Sequence, residues 1–229
     1  MKISFYGAIA LLALNLLASG VVHASQQLYY NAPLITSDLG FFSDARFPEF
    51  QADDFYVDGE LPYSVTSVKW WGRYFKQGAA TAVTPEGSDN FIIRFFEKDG
   101  AGPALSPFTS FTAGAVARVD AGTSGNGVPL FSFHYSLLNE LLLNGGQTYY
   151  ISIVNFGGIV DDPVFSILWS TPLDWTGHPR WRRTNEANPW QLSGYNTAFQ
   201  LNGEVVPEPA SLLVLGAGAA VFGQFRKKA

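Results

Sequence analysis

The sequence predicts an all-β fold, an antiparallel β-sandwich of the jelly-roll type. Apolar and polar residues alternate in short runs, and clusters of glycine, proline, asparagine and aspartate separate these runs at close spacing. Before residue 206 no run keeps a helical period. The chain has 229 residues and no cysteine, so one core of packed side chains must stabilise the fold without disulfides.

The segment Val65–Phe75 shows the alternation most clearly. Val68, Trp70 and Tyr74 share one face of a strand there, so we expect Trp70 to point inward and Trp71 outward. Further strands are expected at Phe91–Phe96, Phe131–Leu137, Tyr149–Ile153, Phe165–Trp169 and Thr197–Leu201, with turns at Asp99–Pro103 and Asn144–Gly146. About eight to ten strands in one domain are typical of a sandwich.

The N-terminal residues 1–24 have the layout of a cleavable secretory signal peptide. Lys2 provides a short charged region, Ile9–Leu17 an apolar region, and small residues lead to Ala24. The alternative is a first transmembrane helix, but the apolar run is shorter than the roughly twenty residues that span a membrane. We therefore expect the general secretion machinery to export the chain and signal peptidase to cleave after Ala24, so that the exported domain comprises residues 25–205.

Residues 206–229 form a separate C-terminal segment. The apolar stretch Leu212–Phe225 precedes a basic cluster of Arg226, Lys227 and Lys228, an arrangement typical of a transmembrane helix with a cytoplasmic flank. As a helix, roughly fifteen residues cover about 23 Å, which is marginal against a hydrocarbon core of about 30 Å. The alternative is a buried C-terminal helix of the folded domain.

The segment just before that stretch contains Pro207, Glu208 and Pro209, and two prolines so close together keep the backbone extended and accessible. The tripeptide, the apolar stretch and the basic cluster, in this order, resemble the PEP-CTERM sorting signal. The resemblance implies that an exosortase, a membrane-embedded cysteine protease, removes the tail while the protein passes from the inner membrane to the cell surface or extracellular matrix of a Gram-negative bacterium. In that family the signal accompanies exopolysaccharide and biofilm production.

The composition of the exported domain excludes several classes of function. Residues 25–205 carry 18 acidic and 10 basic side chains, so nucleic acid is not an expected partner. Only His134 and His178 remain after removal of the signal peptide, which argues against serine triads and multi-histidine metal sites. No cofactor-binding motif is present, and we predict no cofactor.

The region between Trp169 and Trp190 is rich in tryptophan, proline and arginine. Exposed Trp175 and Trp181, with Arg182 beside them and Trp71 extending the surface, would form a platform for sugar rings. The alternative is that these rings cap the core beneath a long loop, with arginine stacked on them.

Adjacent carboxylates occur at Asp53-Asp54 and Asp161-Asp162 in segments expected to be loops. Carboxylate oxygens are hard ligands, so Asp53 and Asp54 are weak candidates for a calcium site. No EF-hand spacing is present, and solvated turn residues are the alternative.

These observations favour a non-enzymatic surface or matrix protein that binds exopolysaccharide through exposed tryptophans. One alternative is a carbohydrate-active hydrolase or lyase, which requires a pair of carboxylates facing each other across a cleft. The other is a purely structural matrix protein without a small ligand, in which every tryptophan would be buried.

Overall fold

A computed structural model describes residues 25–35, 40–47, 49–76, 85–157, 163–168, 170–171 and 180–206. The predicted signal peptide, residues 1–24, and the predicted transmembrane stretch Leu212–Phe225 lie outside this part of the chain. Every regular element within it is a β-strand: β1 (Gln26–Tyr30), β2 (Ala32–Pro33), β3 (Gly40–Phe42), β4 (Phe50–Val57), β5 (Tyr63–Phe75), β6 (Phe91–Asp99), β7 (Gly102–Pro103), β8 (Thr109–Gly114), β9 (Val119–Thr123), β10 (Pro129–Leu143), β11 (Gln147–Asn155), β12 (Val164–Leu168), β13 (Ser170–Thr171), β14 (Trp181–Arg183), β15 (Gln191–Leu192) and β16 (Phe199–Val205).

The strands form two large antiparallel sheets that pack as a sandwich, which confirms the predicted fold class. The first sheet has the order β1-β16-β5-β10-β9, and β12 joins it between β5 and β3. The second has the order β15-β14-β4-β11-β6-β7, with β8 paired to β6. The predicted number of strands was too low, partly because β2, β7, β13 and β15 have only two residues each.

The main core lies between the sheets and is rich in aromatic side chains. As predicted, Val68, Trp70 and Tyr74 all point into it. The Trp70 ring stacks on Phe133 of the same sheet, with ring centroids 5.4 Å apart, and meets Phe91 of the opposite sheet edge-on at 5.0 Å. Both arrangements are favourable for aromatic pairs. The period-two pattern of β5 therefore identifies its inward face correctly.

The prediction that Trp71 is exposed is wrong. Trp71 does lie on the outer face of the first sheet, but only 7% of its surface is accessible. It packs there in a second cluster with Leu130, Leu168 and Ala198, and the Tyr30 ring meets it edge-on at 5.9 Å. This outer face is covered by neighbouring chain, which local alternation cannot reveal.

The predicted turns at Asp99–Pro103 and Asn144–Gly146 are both present. Gly100 and Gly146 have φ values of 60° and 71°, a region that side chains with a Cβ rarely adopt. These glycines close the β6–β7 and β10–β11 connections. Among the residues described, no helix is long and apolar enough to cross a membrane.

Candidate functional site

The sandwich is open along one edge, between β1 of the first sheet and β4 of the second. On one side β4 pairs with β11 through Asp53–Val57. On its other side β14 pairs only with Phe50–Ala52. No strand of the described chain continues this pairing beyond Ala52, and a cleft of about 180 Å³ lies where the two sheet edges face each other.

The cleft has an apolar floor and a polar, aromatic rim. Its floor is part of the main core and consists of Phe55, Val57, Val65, Leu143 and Leu201. The rest of its lining consists of Gln26, Gln27, Leu28, Tyr29, Tyr56, Asp58 and Tyr63, of which Leu28, Tyr29 and Tyr63 are half-buried against the main core. Concave sites with an apolar base and a few polar groups are typical of small-molecule binding. The Tyr56 side chain is 44% exposed.

A buried carboxylate, Asp53, lies beside this cleft on the inner face of β4. Its Oδ2 atom accepts hydrogen bonds from the backbone N–H of Thr197 at 2.5 Å and from the Thr197 hydroxyl at 3.0 Å. The amide of Asn31 donates to the same oxygen at 3.5 Å. The expectation that Asp53 and Asp54 lie in a loop is therefore wrong, because both are buried in the middle of strand β4.

Burial dominates the electrostatics of this carboxylate. Loss of solvation, followed by the charge of Asp54, raises the pKa of Asp53 to about 8, although the Thr197 hydrogen bonds and Arg180 oppose the shift. Burial therefore favours the protonated form of Asp53 at neutral pH. Burial, and then the same two carboxylates, also raise the pKa of Tyr29 well above its ordinary value. The region behind the cleft is thus a coupled acidic cluster.

No group of three or more metal-ligating side chains occurs within the residues that the structure describes. Asp161 and Asp162 are outside them. Successive side chains of a strand point to opposite faces, so Asp53 and Asp54 do not point toward a common centre. The calcium hypothesis gains no geometric support from the described residues.

Arg180 is the buried cation nearest to this cluster, and its contacts are structural. It donates hydrogen bonds to the backbone oxygen of Ser193 at 2.8 Å and to the Ser193 hydroxyl at 2.6 Å, and it also bonds the side chain of Gln51. Its guanidinium lies over the Phe41 ring. Burial lowers the pKa of Arg180 to about 9. The contacts tie the segment before β14 to β4.

The described tryptophans of the predicted platform cap the second sheet. Trp181 is half-buried on its outer face, and its ring packs so closely on Gly102 that an added Cβ would lie 2.9 Å from it. Trp190 is buried, and its indole N–H donates to Ala104 O at 3.0 Å. The guanidinium of Arg183 lies 4.3 Å from the Trp190 ring centre. These contacts agree with the alternative in which the tryptophan rings cap the core and arginine stacks on them.

Of the predicted sugar-binding residues that the structure describes, Trp71 lies apart from Trp181 and Arg182, which are neighbours in β14. Trp71 and Trp181 lie on the outer faces of different sheets, with the main core between them. Arg182 is exposed, and its guanidinium is 3.6 Å from Glu49. Trp175 lies outside the described residues. Sequence reasoning also missed the cleft, because strands distant in sequence supply its lining and no local motif marks it.

Comparison with family models finds a match in the C-terminal segment. Residues 205–228 match the PEP-CTERM protein-sorting motif. The chain carries a PEP-CTERM sorting signal. The match includes Pro207–Pro209 and Arg226–Lys228, and it confirms the sorting signal predicted from the sequence. This PEP-CTERM protein is therefore exported, passes through the membrane, is processed by an exosortase and is sorted to the cell surface, with a β-rich domain as its cargo. Comparison with curated proteins gives no match.

Proposed function

We propose that the exported domain is a non-enzymatic component of the surface or biofilm matrix of a Gram-negative bacterium, and that it binds exopolysaccharide in the cleft between β1 and β4. The observation that carries this proposal is the presence of three tyrosines, Tyr29, Tyr56 and Tyr63, among the residues that line a cleft with an apolar floor. The sorting signal supports the setting, since the family that it resembles accompanies exopolysaccharide production.

The chemistry of the rim suits a sugar ring. Aromatic faces pack against the apolar C–H faces of sugars, while amide and carboxylate groups pair with hydroxyls. Gln26, Gln27 and Asp58 provide such groups beside the tyrosines. A volume of about 180 Å³ is smaller than the roughly 300 Å³ at which sites for drug-sized ligands begin. The cleft therefore accommodates a single sugar unit of a chain that continues into solvent.

The distribution of carboxylates supports binding rather than hydrolysis. A glycosidase needs two carboxyl groups about 5 Å or about 6.5–9.5 Å apart, on either side of the scissile bond. Asp58 is the one carboxylate in the cleft lining. Asp53 is fully buried and bonded to Thr197, so it does not face a substrate in the cleft.

The test is binding of the processed protein to the exopolysaccharide of the producing organism and to a panel of glycans. Tyr56→Ala should raise the dissociation constant at least about tenfold, which corresponds to about 1.4 kcal/mol. Tyr30→Ala is a matched control, because Tyr30 and Tyr56 are both 44% exposed but Tyr30 is not part of the cleft lining. No binding by the folded protein would favour the purely structural alternative.

A second pair of variants tests the site first predicted from the sequence. Trp175→Ala/Trp181→Ala and Arg182→Ala change that loop and leave the cleft intact. If they abolish saturable binding while Tyr56→Ala does not, the carbohydrate site lies in the tryptophan loop. If they retain binding that Tyr56→Ala weakens, the cleft is the site.

A further inference from the structure

The folded domain extends to the edge of its own sorting signal. Strand β16 ends at Val205, and the match to the sorting motif begins at residue 205. The backbone N–H of Val206 still donates to Pro62 O, at 2.8 Å. Pro207, the first residue of the proline tripeptide, follows directly. No spacer separates the fold from the segment that the exosortase recognises.

The last residues of β16 are held less firmly than the rest of the strand. As far as Gly203 the strand lies between two neighbours, because Gly203 pairs with both Gln26 of β1 and Val65 of β5. Beyond it, the pairing of Glu204 and Val205 within the described part of the chain is with β5 alone. β1 begins at Gln26 and cannot cover them. Residues 204–206 are therefore attached to the sheet along one side.

Gly203 is a sharp boundary between the two parts of the strand. The register with β5 shifts between Asn202 and Gly203. A Cβ on Gly203 would lie 2.1 Å from the backbone oxygen of Ser64 and 2.7 Å from a methyl carbon of Leu28. The chains approach so closely there that only glycine fits, which fixes the strand at this residue and leaves the following three residues to separate as a unit.

We propose that Glu204–Val206 must detach from β5 before the exosortase can cleave the sorting signal. Peptide substrates commonly bind in extended form through their backbone N–H and C=O groups. The backbone groups that precede Pro207 are bonded to β5 and Pro62 instead. Strand β5 and the exosortase therefore bind the same backbone groups of Glu204–Val206. The exosortase binds this strand end after it has detached from the sheet.

The short connection between the folded domain and the predicted membrane segment also favours release of Glu204–Val206. Five residues separate Val206 from Leu212, the start of the predicted membrane segment, and the six Cα–Cα steps between them span at most about 20 Å when fully extended. Release of Glu204–Val206 adds about 10 Å. An enzyme embedded in the membrane gains access to the chain without having to accommodate the whole sandwich at its entrance.

A disulfide between the paired strands tests the proposal on the full-length precursor. Tyr63 and Val205 are register partners, and antiparallel partners have Cα atoms about 4.5–5.5 Å apart, within the range that a disulfide bridges. The chain has no other cysteine. In membranes containing the exosortase, oxidised Tyr63→Cys/Val205→Cys precursor should be cleaved at least tenfold more slowly than the same protein after reduction. Equal rates would overturn the proposal.

The matched control is Lys69→Cys/Gln200→Cys, which links the same two strands at another register pair and leaves the strand end untouched. Its cleavage should be the same before and after reduction, and a block there would overturn the proposal. Six glycine and serine residues inserted between Val206 and Pro207 should restore cleavage of the oxidised Tyr63→Cys/Val205→Cys precursor. Failure of that insertion to restore it, when the same insertion is tolerated in the unlinked chain, would also overturn the proposal.

Discussion

The carboxylate of Asp53 accepts a 2.5 Å hydrogen bond from the backbone N–H of Thr197. This bond joins β4 of the second sheet to the segment that leads into β16 of the first. It lies at the same open edge as the cleft, where Asn31 also donates a hydrogen bond to Asp53 and the charges of Asp53 and Asp54 raise the pKa of Tyr29. The protonation of Asp53 therefore affects a hydrogen bond that links the two sheets at this edge.

The first prediction concerns the pH dependence of stability. The folded state raises the pKa of Asp53 to about 8, whereas an unfolded aspartate titrates near about 3.9. Between these values the folded state binds more protons, so the free energy of unfolding falls as the pH rises from about 4 to about 8. One proton contributes at most about 1.4 kcal/mol per pH unit. Asp53→Asn should flatten this part of the profile in urea unfolding at pH 5, 6, 7 and 8.

The control for this profile is Asp58→Asn, which removes an exposed carboxylate at the cleft rim. Its slope should equal that of the wild type over the same pH range. A profile for Asp53→Asn that runs parallel to the wild type would contradict the assignment of the proton to Asp53.

The second prediction follows from the burial of Trp71. Because the ring packs against Leu130, Leu168 and Ala198, Trp71→Ala should reduce the free energy of unfolding by about 3–5 kcal/mol. His134, exposed on the neighbouring strand opposite Lys69, is the control, and His134→Ala should change stability by less than about 0.5 kcal/mol. A stable Trp71→Ala protein would mean that the outer cluster is not packed as described.

The third prediction concerns Arg118, which holds the segment before β6. Its Nε donates to Asp89 at 2.7 Å, and its terminal nitrogens donate to Pro85 O at 2.9 Å and Gly87 O at 2.6 Å. Arg118→Met leaves the buried Asp89 carboxylate without its cation. We expect a loss of about 2–4 kcal/mol in the free energy of unfolding.

Arg182→Met is the comparison for Arg118→Met. The Arg182 side chain is 47% exposed and its contact with Glu49 is 3.6 Å long, so its removal should cost less than about 1 kcal/mol. Thermal and urea unfolding of both variants measures the difference. Similar losses in the two variants would show that Arg118 does not hold its segment through these bonds.

The sequence predicts the sandwich and its inward faces because strand periodicity is local. The alternation of Val68, Trp70 and Tyr74 is a property of β5 alone, and the turn at Gly146 depends on its own backbone. Whether an outer face is bare or covered depends on chain that packs over it from elsewhere. The prediction for Trp71 was therefore right about the face of the sheet and wrong about the exposure of the ring.

The site was less predictable for a related reason. Adjacent carboxylates normally indicate a solvated turn, but Asp53 is stabilised in the interior by Thr197, which lies 144 residues away along the chain. The cleft is formed by strand ends from β1, β4, β5, β10 and β16. Such a site forms where the edges of two packed sheets face each other, so its residues are far apart in the sequence. The sorting signal, in contrast, is contiguous in the sequence and was recognised from it.

The last prediction links local packing to processing of the tail. In Gly203→Ala, the new methyl group would meet the backbone oxygen of Ser64, so the end of β16 must move away from β5. We expect a loss of about 1–3 kcal/mol in the free energy of unfolding. Because the displaced residues are those that the proposed mechanism releases, we also expect faster cleavage of the precursor by the exosortase.

Gly72→Ala separates that effect from general destabilisation. A Cβ on Gly72 would lie 2.2 Å from the Phe165 ring, so this variant is also strained, but the contact joins β5 to β12 rather than to the end of β16. The two variants should therefore lose comparable stability while only Gly203→Ala is cleaved faster, as measured by the rate at which membranes containing the exosortase shorten each precursor. If both are accelerated equally, cleavage follows global unfolding and not release of the strand end.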